Sequence, residues 1–136
     1  MNTTFSLQIR SPERLVFDRQ VASLLLATEN GMIEVLPYHA SMLSTIQFTH
    51  AKIRFENLVD TILLRKGILF IDNTKNEVQV LVSMAEMESE VSITSAKEYL
   101  AYVLSQLEKG EHMSEFHLQF LQEERLVIEK QLHASE

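Results

Sequence analysis

Five histidines are the side chains of this sequence with the clearest capacity for chemistry, because imidazole serves both as a general base and as a metal ligand. They are His39, His50, His112, His117 and His133. None of them forms a His-Glu-x-x-His pair or another cluster with the spacing of metal ligands. His39 directly follows Pro37 and Tyr38 at the predicted end of a strand, which favours a structural role in a turn. The last three lie in a polar C-terminal stretch and are expected to be solvated.

Motifs for nucleophilic catalysis and phosphate binding are missing from the sequence. There is no cysteine, and no serine lies in a Gly-x-Ser-x-Gly elbow, so neither a thiolate zinc site nor a hydrolase triad has an anchor. Glycine occurs only at positions 31, 67 and 110, which excludes a Gly-rich phosphate loop. Glu86, Glu88 and Glu90 alternate and could hold a divalent ion, but a solvated acidic linker is favoured. The sequence therefore predicts a binding or structural component without catalytic residues, metal or cofactor.

The charge of the chain is concentrated at one end. The 136 residues carry 12 Lys+Arg and 19 Asp+Glu, for a net charge of −7. Residues 1–85 are balanced at eight bases and eight acids, whereas residues 86–136 carry four bases and 11 glutamates. Nucleic-acid binding requires clustered cations, so this class is excluded. No apolar run approaches a membrane span and the first residues lack a signal-peptide pattern, so we expect a cytoplasmic chain without direct lipid insertion.

The elements that must position any site change in type near residue 86. Before it, apolar runs are separated by turn residues roughly every 8–12 positions, which is typical of an all-β domain. Residues 21–28 form a nearly continuous apolar run, as expected for a strand covered on both faces, and Asn30-Gly31 predicts a type I′ hairpin turn. The predicted strands cover residues 5–10, 15–17, 21–28, 32–36, 41–47, 50–56, 61–66, 68–72 and 77–83. Residues 1–86 are therefore predicted to form an antiparallel β-sandwich, or flattened barrel, of about eight to ten strands.

The apolar period becomes helical after residue 92. Ala96, Leu100, Val103 and Leu107 recur every three or four positions, which predicts a first helix with Thr94 or Ser95 as its N-cap. Gly110 is the predicted helix stop, and residues 113–132 restart the pattern with Ser114 as a possible cap. The predicted fold is thus β + α, with residues 87–136 as an antiparallel two-helix hairpin.

The order of these segments resembles the epsilon subunit of the F-type ATP synthase. The stretches FSLQIRSPERLVF (5–17) and ENGMIEVLPYHASMLS (29–44) are similar to that family's opening strand and its Gly-x-x-Gly-x-x-Pro-Gly-His-x-Pro signature. Gly31, Pro37 and His39 match the signature, whereas Tyr38 replaces one of its glycines. Residues 66–71 resemble the family's Gly-Gly-hydrophobic strand, and a helical hairpin closes the chain in both. The resemblance covers essentially the whole sequence.

The resemblance implies a subunit that catalyses nothing itself. It implies a divergent or alternative-complex member of the central stalk, docked on the gamma subunit and on the ring of c subunits, that couples proton or sodium flow to ATP synthesis. It also implies a peripheral position on the cytoplasmic face of the inner (plasma) membrane, in a bacterial complex. The partner contacts expected on this basis are Gly31, Pro37, Tyr38, His39, Phe48 and Gly67.

The resemblance gives the helical hairpin a regulatory meaning, because in the family it can extend toward the catalytic beta subunits and inhibit ATP hydrolysis. Some members bind ATP through an Ile-Asp-x-x-Arg-Ala motif, and Ile93, Thr94 and Lys97 occupy the corresponding positions here. Threonine replaces the aspartate, and lysine lacks the planar fork of arginine. The resemblance therefore implies no ATP binding, and the acidic hairpin is expected to inhibit only weakly.

Two other functions are compatible with the same residues. One is a stand-alone β-sandwich that binds a sugar or acts as a metal-dependent enzyme, with His39 or His50 as ligand. The other is an adaptor whose acidic hairpin binds a basic partner helix. The first alternative predicts a free monomer with bound metal, whereas the stalk subunit predicts co-purification with gamma.

Overall fold

The computed structural model describes residues 3–110 and 113–134. The chain divides into two compact units, one of strands and one of helices, and the division lies between Ser89 and Glu90. The sequence places this boundary after residue 86, which is three residues earlier. Within the described ranges, no helix is long and apolar enough to cross a bilayer.

Among the described residues, the first unit contains seven strands in one sheet, rather than the predicted eight to ten. They are β1 (Phe5–Arg10), β2 (Leu15–Val21), β3 (Ser23–Thr28), β4 (Gly31–Val35), β5 (Met42–Phe55), β6 (Leu58–Asp72) and β7 (Glu77–Met87). The number is smaller because the runs predicted at 41–47 and 50–56 form the single strand β5, and those at 61–66 and 68–72 form β6. Neither junction contains a proline or a turn that reverses the chain.

The strand order is β2-β1-β7-β6-β5-β3-β4, and one pair in it is parallel. β1 and β7 run in the same direction, with Leu7 opposite Val78 and Ile9 opposite Val80. The prediction of antiparallel pairing throughout was therefore wrong at this position. The β6–β7 hairpin brings β7 back beside β1. These two strands are neighbours in the sheet although β2 to β6 separate them in the sequence.

The sheet folds over on itself into the predicted sandwich. All seven strands contribute side chains to one buried core. Phe17 of β2 and Phe55 of β5 meet edge to face with ring centroids 5.6 Å apart, although their strands are not neighbours in the sheet. β3 was expected to be covered on both faces, but its buried and half-buried residues alternate, with Leu24 and Leu26 in the core. The run 21–28 is nearly continuously apolar because three of its half-buried residues, Ala22, Leu25 and Ala27, are also apolar.

The long strand β6 changes which of its faces is buried midway along its length. Its core residues are Ile62 and Leu64 before the change, and Leu69 and Ile71 after it. The two-residue alternation therefore shifts by one position between them. Lys66 lies at the shift with a φ of 53°, and the registers with β5 and β7 both pass over it. The strand continues through this left-handed residue.

The turn geometry of one hairpin differs from the sequence prediction, and the predicted geometry occurs in another hairpin. The β3–β4 hairpin exists, but only Gly31 has positive φ (101°), while Thr28 pairs with Gly31 across the turn. A type I′ turn needs positive φ at both central residues, so the predicted turn type was wrong. The β5–β6 turn has that geometry instead, with φ of 48° at Glu56 and 64° at Asn57.

The second unit contains α1 (Ile93–Glu108) and α2 (Glu115–Ala134), preceded by a single 3-10 turn at Glu88–Glu90. The N-cap of α1 is Ser92, whose Oγ accepts the backbone N–H of Ser95 at 3.1 Å, rather than Thr94 or Ser95. The C-cap is Lys109, so Gly110 directly follows the helix as predicted. Ser114 caps α2 by accepting the N–H of His117 at 3.1 Å. His112 lies outside the described residues.

Candidate functional site

The loop of residues 36–41 and the turn of residues 72–76 lie against each other at the ends of the strands that they connect. The side-chain amide of Asn73 donates to the carbonyl oxygen of Tyr38 at 2.6 Å and to that of His39 at 3.3 Å. The N–H of Tyr38 donates to Oδ1 of Asn76 at 2.8 Å. The N–H of Asn73 donates to Oγ of Ser41 at 2.8 Å. The structure thus brings Pro37, Tyr38 and His39 into one loop that the turn holds in place.

The turn itself is closed by Asp72. Its Oδ1 accepts the hydroxyl of Thr74 at 2.6 Å, the N–H of Thr74 at 3.0 Å and the N–H of Lys75 at 3.3 Å. These bonds favour the ionised carboxylate, so the Thr74 hydroxyl, above all, lowers the pKa of Asp72 below its ordinary value.

The backbone of Tyr38 is strained, and its aromatic side chain is exposed. Its φ is 62°, in the left-handed region that a side chain bearing a β-carbon disfavours, and 52% of its surface is exposed. Strained residues persist where the surrounding structure holds them, and they cluster at functional sites. Tyr38 stands at a signature position that is glycine in the family it resembles, and glycine is the residue that adopts this conformation without strain.

Neither His39 nor His50 lies in a group of three or more potential metal ligands among the described residues. Nδ1 of His39 lies 2.8 Å from the carbonyl oxygen of its neighbour Ala40, which is the turn role predicted for it. His50 is buried within β5. Partial burial lowers the pKa of His117, at the start of α2, below its ordinary value, so this side chain is half-buried rather than fully solvated as expected. Over residues 3–110 and 113–134 no group of three or more His, Asp or Glu could hold a metal ion, including the glutamates near residue 88.

The outer face of the sheet carries an apolar strip that sequence analysis missed. Leu43 of β5 is opposite Phe70 of β6, and Ile68 of β6 is opposite Leu81 of β7. Residues two apart in a strand lie on the same face of the sheet, so Ile68 and Phe70 share a face. Their cross-strand partners Leu81 and Leu43 lie on that face with them. Leu43 is 63% exposed, Phe70 45% and Leu81 42%. We call Leu43, Ile68, Phe70 and Leu81 the apolar strip. The strip could have been recognised in the sequence from the apolar residues at those alternate strand positions that do not face the core.

The other residues expected to contact partners have roles inside the β unit. Phe48 is buried, and the guanidinium carbon of Arg65 lies 5.0 Å from its ring centroid. A β-carbon on Gly67 would meet the carbonyl oxygen of Leu81 at 2.0 Å, so β6 and β7 approach too closely there for any other residue. Gly31 supplies the positive φ of its turn, and a β-carbon there would meet nothing within 4 Å. Their contact with a partner stays a prediction.

The residues of the degenerate ATP motif begin the helical unit. Ile93, Thr94 and Lys97 lie in the first turns of α1 and are exposed. Lys97 provides a flexible point charge rather than a bidentate fork. The absence of ATP binding stays a prediction.

The comparisons with known proteins point to one family. The family model for the β-sandwich domain of the ATP synthase delta/epsilon chain matches residues 4–88. The chloroplastic ATP synthase epsilon chain of Marchantia polymorpha is 34% identical over 106 residues, which cover 78% of this chain and 77% of that relative. The corresponding protein of Panax ginseng is 35% identical over 108 residues, covering 79% and 76%.

Two solved structures share the fold. A chain in the cryo-EM structure of the Euglena gracilis mitochondrial ATP synthase (OSCP/F1/c-ring) matches with a TM-score of 0.63 at 14% identity, covering 100% of this chain and 84% of that chain. A chain in the Tetrahymena thermophila mitochondrial ATP synthase central stalk and c-ring matches with a TM-score of 0.56 at 13% identity, covering 94% and 96%. Together with the family model and the chloroplastic relatives, the sandwich and its C-terminal helices show that the chain belongs to the epsilon-chain family of the F-type ATP synthase, a family of non-catalytic subunits.

Proposed function

We propose that this chain is a rotor subunit of an ATP synthase, which docks on the gamma subunit and the ring of c subunits and helps to couple ion flow to ATP synthesis. The observation that carries the proposal is the apolar strip. An antiparallel sheet that faces water is normally polar on that side, so an apolar strip at alternate positions indicates a surface that a partner covers. Membership of a family of non-catalytic subunits argues against the alternative of a stand-alone metal-dependent enzyme.

We assign the apolar strip to gamma. The centre of a stable interface is depleted in charge and enriched in aromatic and aliphatic anchors, as Phe70 and Leu43 are here. A standard interface buries roughly 1,200–2,000 Å² in total, which four side chains cannot supply alone. Neighbouring residues on the same face of the sheet must therefore complete the contact with gamma. We assign the loop with Tyr38 and His39, together with the Gly31 turn, to a separate contact with the c-ring.

The setting of the complex follows from the same proposal. The chain is a peripheral subunit held at a membrane by its partners, without inserting into lipid. The relatives described above are chloroplastic, so they do not support the bacterial setting that the sequence suggested.

We further propose that the helical unit inhibits ATP hydrolysis weakly and does not bind ATP. Residues 86–136 carry the whole net charge of −7, so an acidic surface on a catalytic beta subunit would repel them. Isothermal titration of the full chain with ATP tests the second statement. Heat of binding with sub-millimolar affinity would contradict it.

Co-purification tests the docking of the strip. We expect Phe70→Glu to abolish recovery of the chain with gamma, because the carboxylate would have to be desolvated in the interface. Leu58→Glu is the matched control, since Leu58 is 56% exposed at the β5–β6 turn, outside the strip. It should leave recovery unchanged. Equal loss, or no loss, for the two variants would refute the assignment of the strip.

A further inference from the structure

Two asparagines of one turn bind the backbone of a loop that lies far away in sequence. Asn73 donates through its side-chain amide to the carbonyl oxygens of Tyr38 and His39. Asn76 accepts the N–H of Tyr38 on Oδ1, and its own amide donates to the carbonyl oxygen of Thr4 at 2.9 Å. Both peptide groups that flank Tyr38 are thereby tied to the turn of residues 72–76.

These hydrogen bonds flank Tyr38, whose backbone conformation is unfavourable. A tyrosine at a φ of 62° is held against its own preference, because its β-carbon crowds the backbone in that region. The N–H of Tyr38 is bound on one side and its carbonyl oxygen on the other, so φ and ψ are both restrained. The N–H of His39 also donates to the carbonyl oxygen of Leu36 at 3.0 Å, so the two asparagines add to a turn that the backbone itself closes around Tyr38.

The turn does not need either asparagine side chain to close itself. Asparagines in turns commonly bond their own backbone a few residues on. Asp72 already performs that role by accepting from Thr74 and Lys75. The side-chain nitrogen of Asn73 and Oδ1 of Asn76 are instead directed at the neighbouring loop, 34 to 38 residues earlier in the chain.

We infer that Asn73 and Asn76 are positioning residues, which hold Tyr38 in its left-handed conformation and so pre-order the loop of residues 36–41 for docking. The docking part rests on the proposed function. A loop that is ordered before binding loses less conformational entropy when it docks, so the clamp raises affinity without touching the partner.

A matched pair of variants tests the clamp. Asn73→Asp replaces the donor by an anionic oxygen facing two carbonyl oxygens of the loop. Asn76→Asp keeps an acceptor for the N–H of Tyr38 and loses only the donor to the carbonyl oxygen of Thr4, which lies outside the loop. Both variants add the same charge to the same turn. We expect hydrogen exchange of the Tyr38 and His39 amides, measured by NMR, to accelerate about tenfold in Asn73→Asp. This factor corresponds to about 1.4 kcal/mol, which is the size expected for the loss of one or two hydrogen bonds. In Asn76→Asp it should stay within about twofold of the unaltered chain.

Equal exchange in the two variants, or exchange in Asn73→Asp like that of the unaltered chain, would overturn the clamp. If Asn73→Asp does not fold, Asn73→Ala removes the donor without the repulsion and is held to the same expectation. A melting curve of each variant verifies that the β unit is folded.

Binding to a purified gamma–c-ring assembly tests the consequence for docking. We expect Asn73→Asp to bind about tenfold more weakly and Asn76→Asp to bind within about twofold of the unaltered chain. Accelerated exchange in Asn73→Asp with unchanged affinity would overturn the docking role. Failure of the unaltered chain to bind would instead refute the proposed function, while the exchange measurement would still decide whether the clamp exists.

Discussion

The hydroxyl of Tyr99 in α1 donates a hydrogen bond of 2.8 Å to Oε1 of Glu124 in α2, and both side chains are only 1% exposed. A buried carboxylate is tolerated when hydrogen bonds replace the water that it loses. The two residues are 25 positions apart, so the bond joins the two helices directly. Apolar neighbours such as Val103 and Ile128 can slide, whereas this polar pair is satisfied in one alignment of the helices.

Removing the Tyr99 hydroxyl should weaken the helical unit. We expect Tyr99→Phe to lower its free energy of unfolding by about 1–3 kcal/mol, because the carboxylate of Glu124 loses a donor while it stays buried. Urea denaturation followed by helical circular dichroism measures the change. The control is Glu123→Gln on the exposed face of α2, which should change the stability by less than about 0.5 kcal/mol. Similar effects for the two variants would contradict the role of the pair.

Gly67 should be irreplaceable for packing reasons. We expect Gly67→Ala to destabilise the β unit by about 3 kcal/mol or more, because the new methyl group meets the backbone of β7, which cannot move without breaking the sheet. A β-carbon on Gly110 meets only Cδ2 of Leu118, at 2.9 Å, which is the end of a flexible side chain. Gly110→Ala should therefore lower the stability by less than about 1 kcal/mol. Thermal denaturation of both variants checks this order, and the reverse order would refute it.

The Thr74 hydroxyl should control the ionisation of Asp72. NMR titration of the Asp72 carboxyl carbon should give a pKa below 3.8, and Thr74→Val should raise that pKa. Because the pKa in the folded protein is lowered, the stabilisation is present above pH 3.8 and is lost as the pH falls through the folded pKa. Thr74→Val should therefore flatten the decline in melting temperature on the acid side. An unchanged pKa in the variant would contradict this account.

The presence of strands could be predicted from the sequence, whereas the geometry of the turns could not. The break at Ser11-Pro12 and the return after Gly31 mark real strand ends. Asn30-Gly31 matches the best-known type I′ pair, yet the structure puts that geometry at Glu56-Asn57. The register between β5 and β6 demands a two-residue reversal there, and tertiary pairing outweighs the weak local preference of glutamate.

The candidate site was only partly predictable, because it depends on pairing between distant segments. Pro37, Tyr38 and His39 were found through their local signature. The apolar strip needs the registers that set Leu43 beside Phe70 and Ile68 beside Leu81. Asn73 reads locally as an ordinary turn residue, and nothing in its neighbourhood shows that it binds a loop more than 30 positions earlier.

Removing the helical unit from the assembled complex tests its regulatory role. We expect deletion of residues 90–136 to leave the rate of ATP hydrolysis nearly unchanged, because like charges disfavour an extended state that reaches an acidic surface on a catalytic subunit. The measurement is the steady-state ATPase rate of complexes reconstituted with either chain, at low and at high salt. A several-fold rise on deletion would show that the helices inhibit strongly.

Cross-linking in the intact complex tests the docking of the apolar strip most directly. The chain contains no cysteine, so Phe70→Cys introduces a single thiol into the strip and Leu58→Cys introduces one at the β5–β6 turn. Each thiol is labelled with a short photoreactive cross-linker before assembly, and the products are identified by mass spectrometry. The account predicts a cross-link from residue 70 to the gamma subunit and none from residue 58. A cross-link to gamma from residue 58 with none from residue 70 would contradict it.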